Sequence, residues 1–396
     1  MSQYIAAIVS VLIVSGMVFT ARWLVRRTNT RIWNIRAIDR FGFYLPYVTF
    51  AVMALLFASM RLKLDYVVPV SITLMFLLLI ISIILNASLP FSLAVNYISG
   101  IIEKYKSRPK KDAPNPQRRL FLKYVAASVP AVVVGTTGTG FAGGFQSVRI
   151  PEINMQFNDL PDALDGFKIL HLSDLHLGYY YQLEDLENLL LRLENKKFDL
   201  VLLTGDIADD LSGLPDALKL IDQMSADAQK FMSLGNHEYY RGIRDVLKIA
   251  EAGPVELLRS TGREIKLPGA DLFAAGADDP VNMHSDISSF MMKTTADALD
   301  GSSADSFKIL MSHRPRALDT AERFGVNLVL AGHTHGGQIG FRGRSLFNEV
   351  MKERYLWGEY QKGNTKLYTS SGVGHWFPFR LGCPAEAPII TLNKKA

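Results

Sequence analysis

Leu203-Thr204-Gly205-Asp206-Ile207-Ala208-Asp209 and, further along, Leu234-Gly235-Asn236-His237-Glu238 each carry a short apolar run into a polar loop. The runs before them, 198–203 and 230–234, are too short for helices and read as buried strands. An earlier run, 167–172, ends the same way in His171-Leu172-Ser173-Asp174-Leu175-His176. Amphipathic stretches lie between the strands. Residues 183–193 place Leu186, Leu189, Leu190 and Leu193 on one helical face, and 214–224 and 243–252 also read as helices. Further strands are expected at 255–259, 307–311 and 326–330. The last two run into Ser312-His313-Arg314-Pro315 and Gly332-His333-Thr334-His335-Gly336-Gly337. The tail, 355–393, reads as β-rich with a turn at Lys362-Gly363-Asn364-Thr365. Strands alternating with helices predict an α/β fold, sheets covered by helices.

Layered α/β folds build their sites on loops beyond the carboxyl ends of strands. Five such loops each bring Asp, Asn or His. An isolated histidine usually meets a local hydrogen bond, but five polar loops in order, each at a strand end, form a pattern. The donors are nitrogen and oxygen, for the chain has one cysteine, Cys383. That excludes an intramolecular disulfide and a cysteine-based zinc site. Such a donor set suits divalent Mn, Fe, Zn, Co or Ni. Without cations, this many buried carboxylates and imidazoles would repel one another or go unsatisfied.

The first third of the chain has a different character. Of 396 residues 48% are hydrophobic, and the net charge of +5 conceals two unlike halves. Residues 1–149 carry 17 Lys/Arg against 4 Asp/Glu, whereas 150–396 carry 26 against 34. The basic charge therefore does not lie on the globular half, and no nucleic-acid partner is expected. Residues 2–21, 41–60, 66–102 and 124–148 are free of charge, and a spanning helix needs about 20 apolar residues. The expected organisation is a transmembrane region at 1–148 with about four apolar segments, followed by a catalytic domain at 149–396. Arginines 22, 26, 27, 31, 36 and 40 follow the first segment, and a second basic loop over 104–119 precedes the fourth. Positive loops stay cytoplasmic, which makes this a multi-pass protein of a bacterial-type inner membrane with its acidic half on the outer face. Gln117-Arg118-Arg119-Leu120-Phe121-Leu122-Lys123 resembles a twin-arginine export motif, although it is internal; it also reads as an ordinary basic anchor.

The five polar loops resemble the calcineurin-like metallophosphoesterase superfamily, whose ordered blocks are Asp-x-His, Gly-Asp, Gly-Asn-His-Asp/Glu, His and Gly-His-x-His. All five blocks occur in that order from residue 167 onward. Gly-Asn-His-Glu-Tyr, Gly-His-Thr-His-Gly-Gly-Gln and Pro378-Phe379-Arg380-Leu381-Gly382-Cys383-Pro384 look like its membrane-associated branch, which includes UDP-2,3-diacylglucosamine hydrolases. The resemblance implies a four-layer α-β-β-α sandwich and two divalent metal ions. Asp174, His176 and His335 are then expected to hold one ion, Asn236, His313 and His333 the other, and Asp206 to bridge both. A bridging hydroxide would attack phosphorus in line. His237 would act at the leaving oxygen and Asp209 would orient it. The implied function is hydrolysis of phosphoester or pyrophosphate bonds on a membrane-proximal or lipid-linked substrate. A UDP-2,3-diacylglucosamine-type pyrophosphate hydrolase of lipid A biosynthesis is one alternative. A membrane sensor or transport protein with a regulatory phosphoesterase domain is another.

The remaining candidates are open. Arg380 reads either as a phosphate contact or as a salt-bridge residue. His375 and Trp376 either line the pocket mouth or touch lipid. His171 is expected to pack in the sheet and His284 at the surface. Arg314 adjoins a ligand and has no assigned role. Met283, Phe290, Met291 and Met292 read as core packing before a lipid-facing lid.

Overall fold

The computed structural model describes residues 36–62 and 135–395, except 226, 280–285, 352 and 353, together with scattered residues between 16 and 132. Two compact units divide at Thr139 and Gly140. In the first, α1 (Arg36–Leu62) is a 27-residue helix that contains the apolar stretch 41–60 and Pro46. Its hydroxyls fold back on their own helix, Thr49 Oγ1 donating to Leu45 O and Ser59 Oγ to Leu56 O, so polar residues are satisfied on an apolar rod. Leu45 and Val52 are buried with Leu78. Among the described residues no helix is long and apolar enough to cross a membrane. Most of the other three apolar stretches, Arg22 to Arg31 of the first basic loop, the second basic loop and Arg118-Arg119 lie outside the described residues, as does His284; Arg36 and Arg40 belong to α1.

The second unit is built on two six-stranded sheets. The first contains β1 (Glu152–Phe157), β2 (Lys168–Leu172), β3 (Leu200–Thr204), β4 (Gln229–Ser233), β5 (Glu256–Leu257) and β14 (Ile389–Lys394), in the order β1-β14-β2-β3-β4-β5. The second contains β6 (Thr261–Leu267), β7 (Ala270–Gly276), β8 (Phe307–Met311), β9 (Leu328–Ala331), β12 (Gly358–Lys362) and β13 (Thr365–Thr369), in the order β12-β13-β9-β8-β7-β6. A small antiparallel hairpin, β10 (Gly340–Phe341) with β11 (Arg344–Ser345), stands apart. Strands β2 to β5 run parallel, as do β7, β8, β9 and β13.

Alternation along fully buried strands divides the core into three. Leu200 and Leu202 of β3 join Phe307, Ile309 and Met311 of β8 in the layer between the sheets. Val201 and Leu203 turn the other way, onto α2 (Leu183–Leu193), α3 (Leu214–Gln223) and the end of α4 (Asn236–Ala252). On the far side Leu310 and Val329 pack with Met291 of α5 (Ile287–Ala298) and with Ala317, Leu318 and Ala321 of α6 (Ala317–Ala321). The result is four layers, α-β-β-α. Leu202→Ala removes a side chain that is 0% exposed, and a loss of about 2–5 kcal/mol is expected in urea unfolding. Leu191→Ala, at 65% exposure on α2, should stay within about 0.5 kcal/mol.

Helices α2 and α3 and strand β8 lie where the periodicity puts them, within a residue. Strand 255–259 shrinks to β5, and the third helix starts at Asn236 rather than at 243. Gly242 explains the second difference: its φ of 116° breaks α4, leaving 236–241 as a separate first turn without apolar spacing. The expected turn at 362–365 joins β12 to β13. Strands β1, β6 and β7 were not expected. Met155 and Phe157 are the buried side of β1, whose partner β14 lies at the other end of the domain's sequence.

The compact boundary falls before the expected one at 148/149 because the helical residues 140–144 pack on 377–381. Gly140 O accepts from Arg380 N at 2.7 Å, and a Cβ at Gly143 would stand 2.1 Å from Arg380 O. Phe141 meets Phe377 edge-on, with ring centroids 5.6 Å apart.

Candidate metal centre and active site

Each expected ligand lies just beyond a strand. Asp174 and His176 follow β2, Asp206 follows β3, Asn236 opens α4 after β4, His313 follows β8, and His333 and His335 follow β9. Asp174, His176, Asp206, His333 and His335 all have positive φ, between 46° and 68°. That region is uncommon outside glycine, with Asn, Asp and His its commonest other occupants. The turn folds each side chain back over the strand ends instead of away along the loop. Close approach of the loops also needs glycine. A Cβ at Gly205 would come within 2.7 Å of Gly235 N and His313 Nδ1, and one at Gly332 within 1.8 Å of Ser173 Oγ.

The fold gathers the aspartates and histidines among them into adjoining groups. In one, His335 Nε2 is 3.1 Å from His176 Nε2 and 3.4 Å from Asp174 Oδ1. In the other, His313 Nε2 is 3.1 Å from Asp206 Oδ2 and 3.3 Å from His333 Nδ1. Asp206 Oδ2 is also 3.7 Å from His176 Nε2, so one carboxylate faces both groups. A third group joins His176 and Asp209 to His237: His237 Nδ1 lies 2.5 Å from Asp209 Oδ1, and Asp209 Oδ2 3.3 Å from His176 Nδ1.

Burial sets the electrostatics. It opposes charge on His313, but the Asp206 carboxylate outweighs it and lifts the ring to about 10. Burial likewise works against an ionised Asp206, yet His313, His176 and His237 hold its carboxyl well below the usual range. Burial raises Asp174 and pushes the rings of His333 and His335 well down. The donors are carboxylate, imidazole and amide oxygen, a set that suits divalent cations. Asn236 Oδ1 is buried without a hydrogen-bond partner, and a buried acceptor left that way costs about 1–3 kcal/mol. A cation beside it would satisfy it, so the residues present fit a metal.

Several residues of this centre had no role from sequence. Glu238 accepts from the backbone N–H groups of Gly235, Asp206 and Ile207 at 2.7–3.0 Å, which pins two ligand loops together. Arg241 donates through Nε and one terminal nitrogen to Asp209 Oδ1, at 3.2 and 3.1 Å. Arg314, left open above, donates Nε to Asp279 at 2.9 Å and brings a terminal nitrogen within 2.8 Å of His333 Nε2. Only the Gly-Asn-His-Glu block hinted at any of these; Arg241 and Asp279 lie in no motif.

Arg380 is buried. Its guanidinium donates to the carbonyls of Ser371 (2.6 Å) and Gly374 (2.8 Å) and reaches His335 Nδ1 at 3.1 Å, on the far side of that ring from Asp174. His375 is also buried, with neither ring nitrogen hydrogen-bonded and its pKa pushed down to about 3 by burial and Arg380. Trp376 is 43% exposed. His171 packs in the sheet, its Nε2 3.0 Å from Thr204 Oγ1. Met291 is core, with Phe290 packed against it.

A four-layer sandwich that gathers Asp, Asn and His at its strand ends defines a metal-dependent phosphoesterase, and the relatives agree. Residues 167–337 match the calcineurin-like phosphoesterase family. The uncharacterized metallophosphoesterase YkuE of Bacillus subtilis is 31% identical over 70% of this chain and 97% of its own. A transmembrane protein with metallophosphoesterase domain from Danio rerio is 24% identical over 76% of this chain and 68% of its own. The structure of the NAD nucleotidase of Haemophilus influenzae aligns with TM-score 0.36 and 17% identity over 52% of this chain; the chain spans 45% of that one. The chain belongs to the calcineurin-like phosphoesterases, whose centre holds two divalent metal ions.

Proposed function

We propose that the protein hydrolyses phosphoester or pyrophosphate bonds on a membrane-proximal or lipid-linked substrate. One observation carries the chemistry: two ligand groups meet at Asp206, with His237 on their flank. Asp174, His176 and His335 are the proposed ligands of one ion, Asn236, His313 and His333 of the other, and Asp206 of both. Two such ions supply Lewis acidity at the phosphoryl oxygens and a strong oxygen nucleophile at neutral pH. His237 Nδ1 is engaged by Asp209, which leaves Nε2, 3.9 Å from Asp206 Oδ2, to serve the leaving oxygen. Arg241 donates twice to the same Asp209 oxygen that engages His237, so the pair cannot swing away without breaking those contacts. Arg380 abuts His335 as well, its guanidinium 3.1 Å from Nδ1, but a guanidinium only donates, so unlike Asp209 it cannot accept a ring N–H.

The lipid-linked part of the reading rests on the uncharged stretches before residue 149 and on a vertebrate relative described as transmembrane. Basic loops kept in the cytoplasm would set the catalytic unit at the outer face of a bacterial-type inner membrane. The resemblance to the membrane-associated branch adds the UDP-2,3-diacylglucosamine-type substrate to the set worth testing.

The test uses the full chain purified in detergent. Metal content is measured beside hydrolysis of an aryl phosphodiester and an aryl phosphomonoester. Two equivalents of transition metal with turnover of either compound are expected. Stripping with a chelator should abolish turnover and lower the melting temperature, since ions bound only to the folded state stabilise it. Readdition of Mn, Fe, Zn, Co or Ni should restore both. No metal bound after reconstitution would overturn the reading.

A further inference from the structure

Among the described residues of the catalytic unit, large exposed apolar side chains collect on one short stretch. Phe341 (65% exposed), Leu346 (61%), Val350 (77%) and Met351 (46%) all belong to the β10–β11 hairpin and the loop after it. Exposed single apolar residues are ordinary; four within eleven positions are not.

The hairpin is rooted in the active site. It begins five residues after His335, and Gly340 N donates to Leu381 O. Gln338 Nε2 donates to Phe377 O, next to Trp376. On the other side of the 377–381 segment stands the helical end 140–144, followed by Phe145 at 65% exposure. Two apolar edges therefore flank the segment that carries Arg380, and the second continues the uncharged stretch 124–148.

Charge selects the occupant. Residues 150–396 are acidic as a whole, with 26 Lys/Arg against 34 Asp/Glu, so an anionic surface repels most of the domain. The stretch 341–351 departs from that balance: exposed Arg342 and Arg344 stand among its apolar tips against one carboxylate, Glu349, and Arg342 lies over the Phe341 ring at 5.2 Å. Apolar tips between arginines match the boundary between acyl chains and phosphate headgroups, where arginine stems lie along apolar surface and guanidinium groups meet phosphate. A cleft of about 820 Å³ beside the loop is lined by Arg316 and Arg354 and equally by Asp319 and Glu349, so the positive charge on offer to a headgroup is that of the hairpin itself.

We propose that the 341–351 hairpin and loop dock into an anionic phospholipid bilayer, so that the active site takes phosphoesters whose headgroup lies in the plane of that membrane. The substrate class rests on the phosphoesterase reading above; the docking surface does not.

The full chain in phosphatidylglycerol nanodiscs tests it. An environment-sensitive fluorophore is attached at Phe341→Cys, at Val350→Cys and, as a control, at Leu191→Cys; Cys383 is buried. Nitroxide-labelled lipid should remove most of the emission at 341 and 350 and leave 191 bright. Exchange to phosphatidylcholine, or Arg342→Glu with Arg344→Glu, should weaken the quenching. Emission at 341 and 350 as unaffected as at 191 would overturn the surface. Hydrolysis of a soluble aryl phosphodiester is followed in the same samples. Its loss in the unlabelled protein counts against the phosphoesterase reading alone, because the quenching is read independently of turnover.

Discussion

His237→Ala should lower kcat on an alkyl phosphoester by about 10²–10⁴-fold while both metals stay bound. The argument is geometric. His237 Nδ1 is 2.5 Å from Asp209, which fixes the ring so that Nε2 faces the site, and the side chain keeps 17% of its surface open. Its ring lies against His176 at 4.5 Å without entering either of the two groups that meet at Asp206. Loss of the ring therefore removes help to the leaving oxygen and spares the ligands. A leaving group that departs without a proton, such as p-nitrophenolate, should feel the change much less. Equal losses on alkyl and p-nitrophenyl esters would mean that His237 acts elsewhere in the reaction. Asp209→Asn should fall between wild type and His237→Ala, since it loosens the ring and leaves it present.

Asp206→Asn is expected to be worse than His237→Ala and worse in kind. The Asp206 carboxylate faces imidazoles of both ligand groups, 3.1 Å from His313 and 3.7 Å from His176. Its removal leaves the imidazoles without their counter-charge, and breaking a buried pair on one side costs about 3–5 kcal/mol. That cost falls on the folded site and its hold on metal, so turnover should drop by more than the roughly 10²–10⁴-fold expected of His237→Ala. Metal analysis separates this variant from His237→Ala: the content should fall below two equivalents. A variant that keeps both metals and near-normal turnover would falsify the bridging role.

The centre was more legible in the sequence than the frame around it. Asp174, Asp206, Asn236 and His313 could be picked out because each follows an apolar run that reads as a strand, and the structure puts Asp174 in one group and Asp206 with His313 in the adjoining one. Their orientation was not legible. The positive φ at Asp174 and Asp206 is decided by how loops from neighbouring strands fit over one another, not by local preference. Arg241 was invisible for a related reason: it reaches Asp209 only because Gly242 ends the first turn of α4 and frees that turn from the helix axis. Strand β1 escaped because Met155 and Phe157 are its only fully buried residues and its partner sits at the other end of the domain's sequence. The polar hairpin β6–β7 turns through Pro268-Gly269, a signal too common to stand alone.

The order of the first sheet bears on how the protein is made. Strand β14 pairs with β1 on one side and β2 on the other, so the last described strand of the unit is wedged between the two earliest strands of its sheet. A nascent chain can assemble β2, β3 and β4 as they appear, but β1 has no place in the sheet until Ile389–Lys394 has left the ribosome. Until then Ile169, Leu200 and Leu202 lack the lid that Ile390 and Leu392 help to form. Folding of this sheet is thus held open until β14 has been made. A message cut short before β14 should yield a chain that chaperones and proteases recognise, and not a nearly finished enzyme with its metal ligands in place.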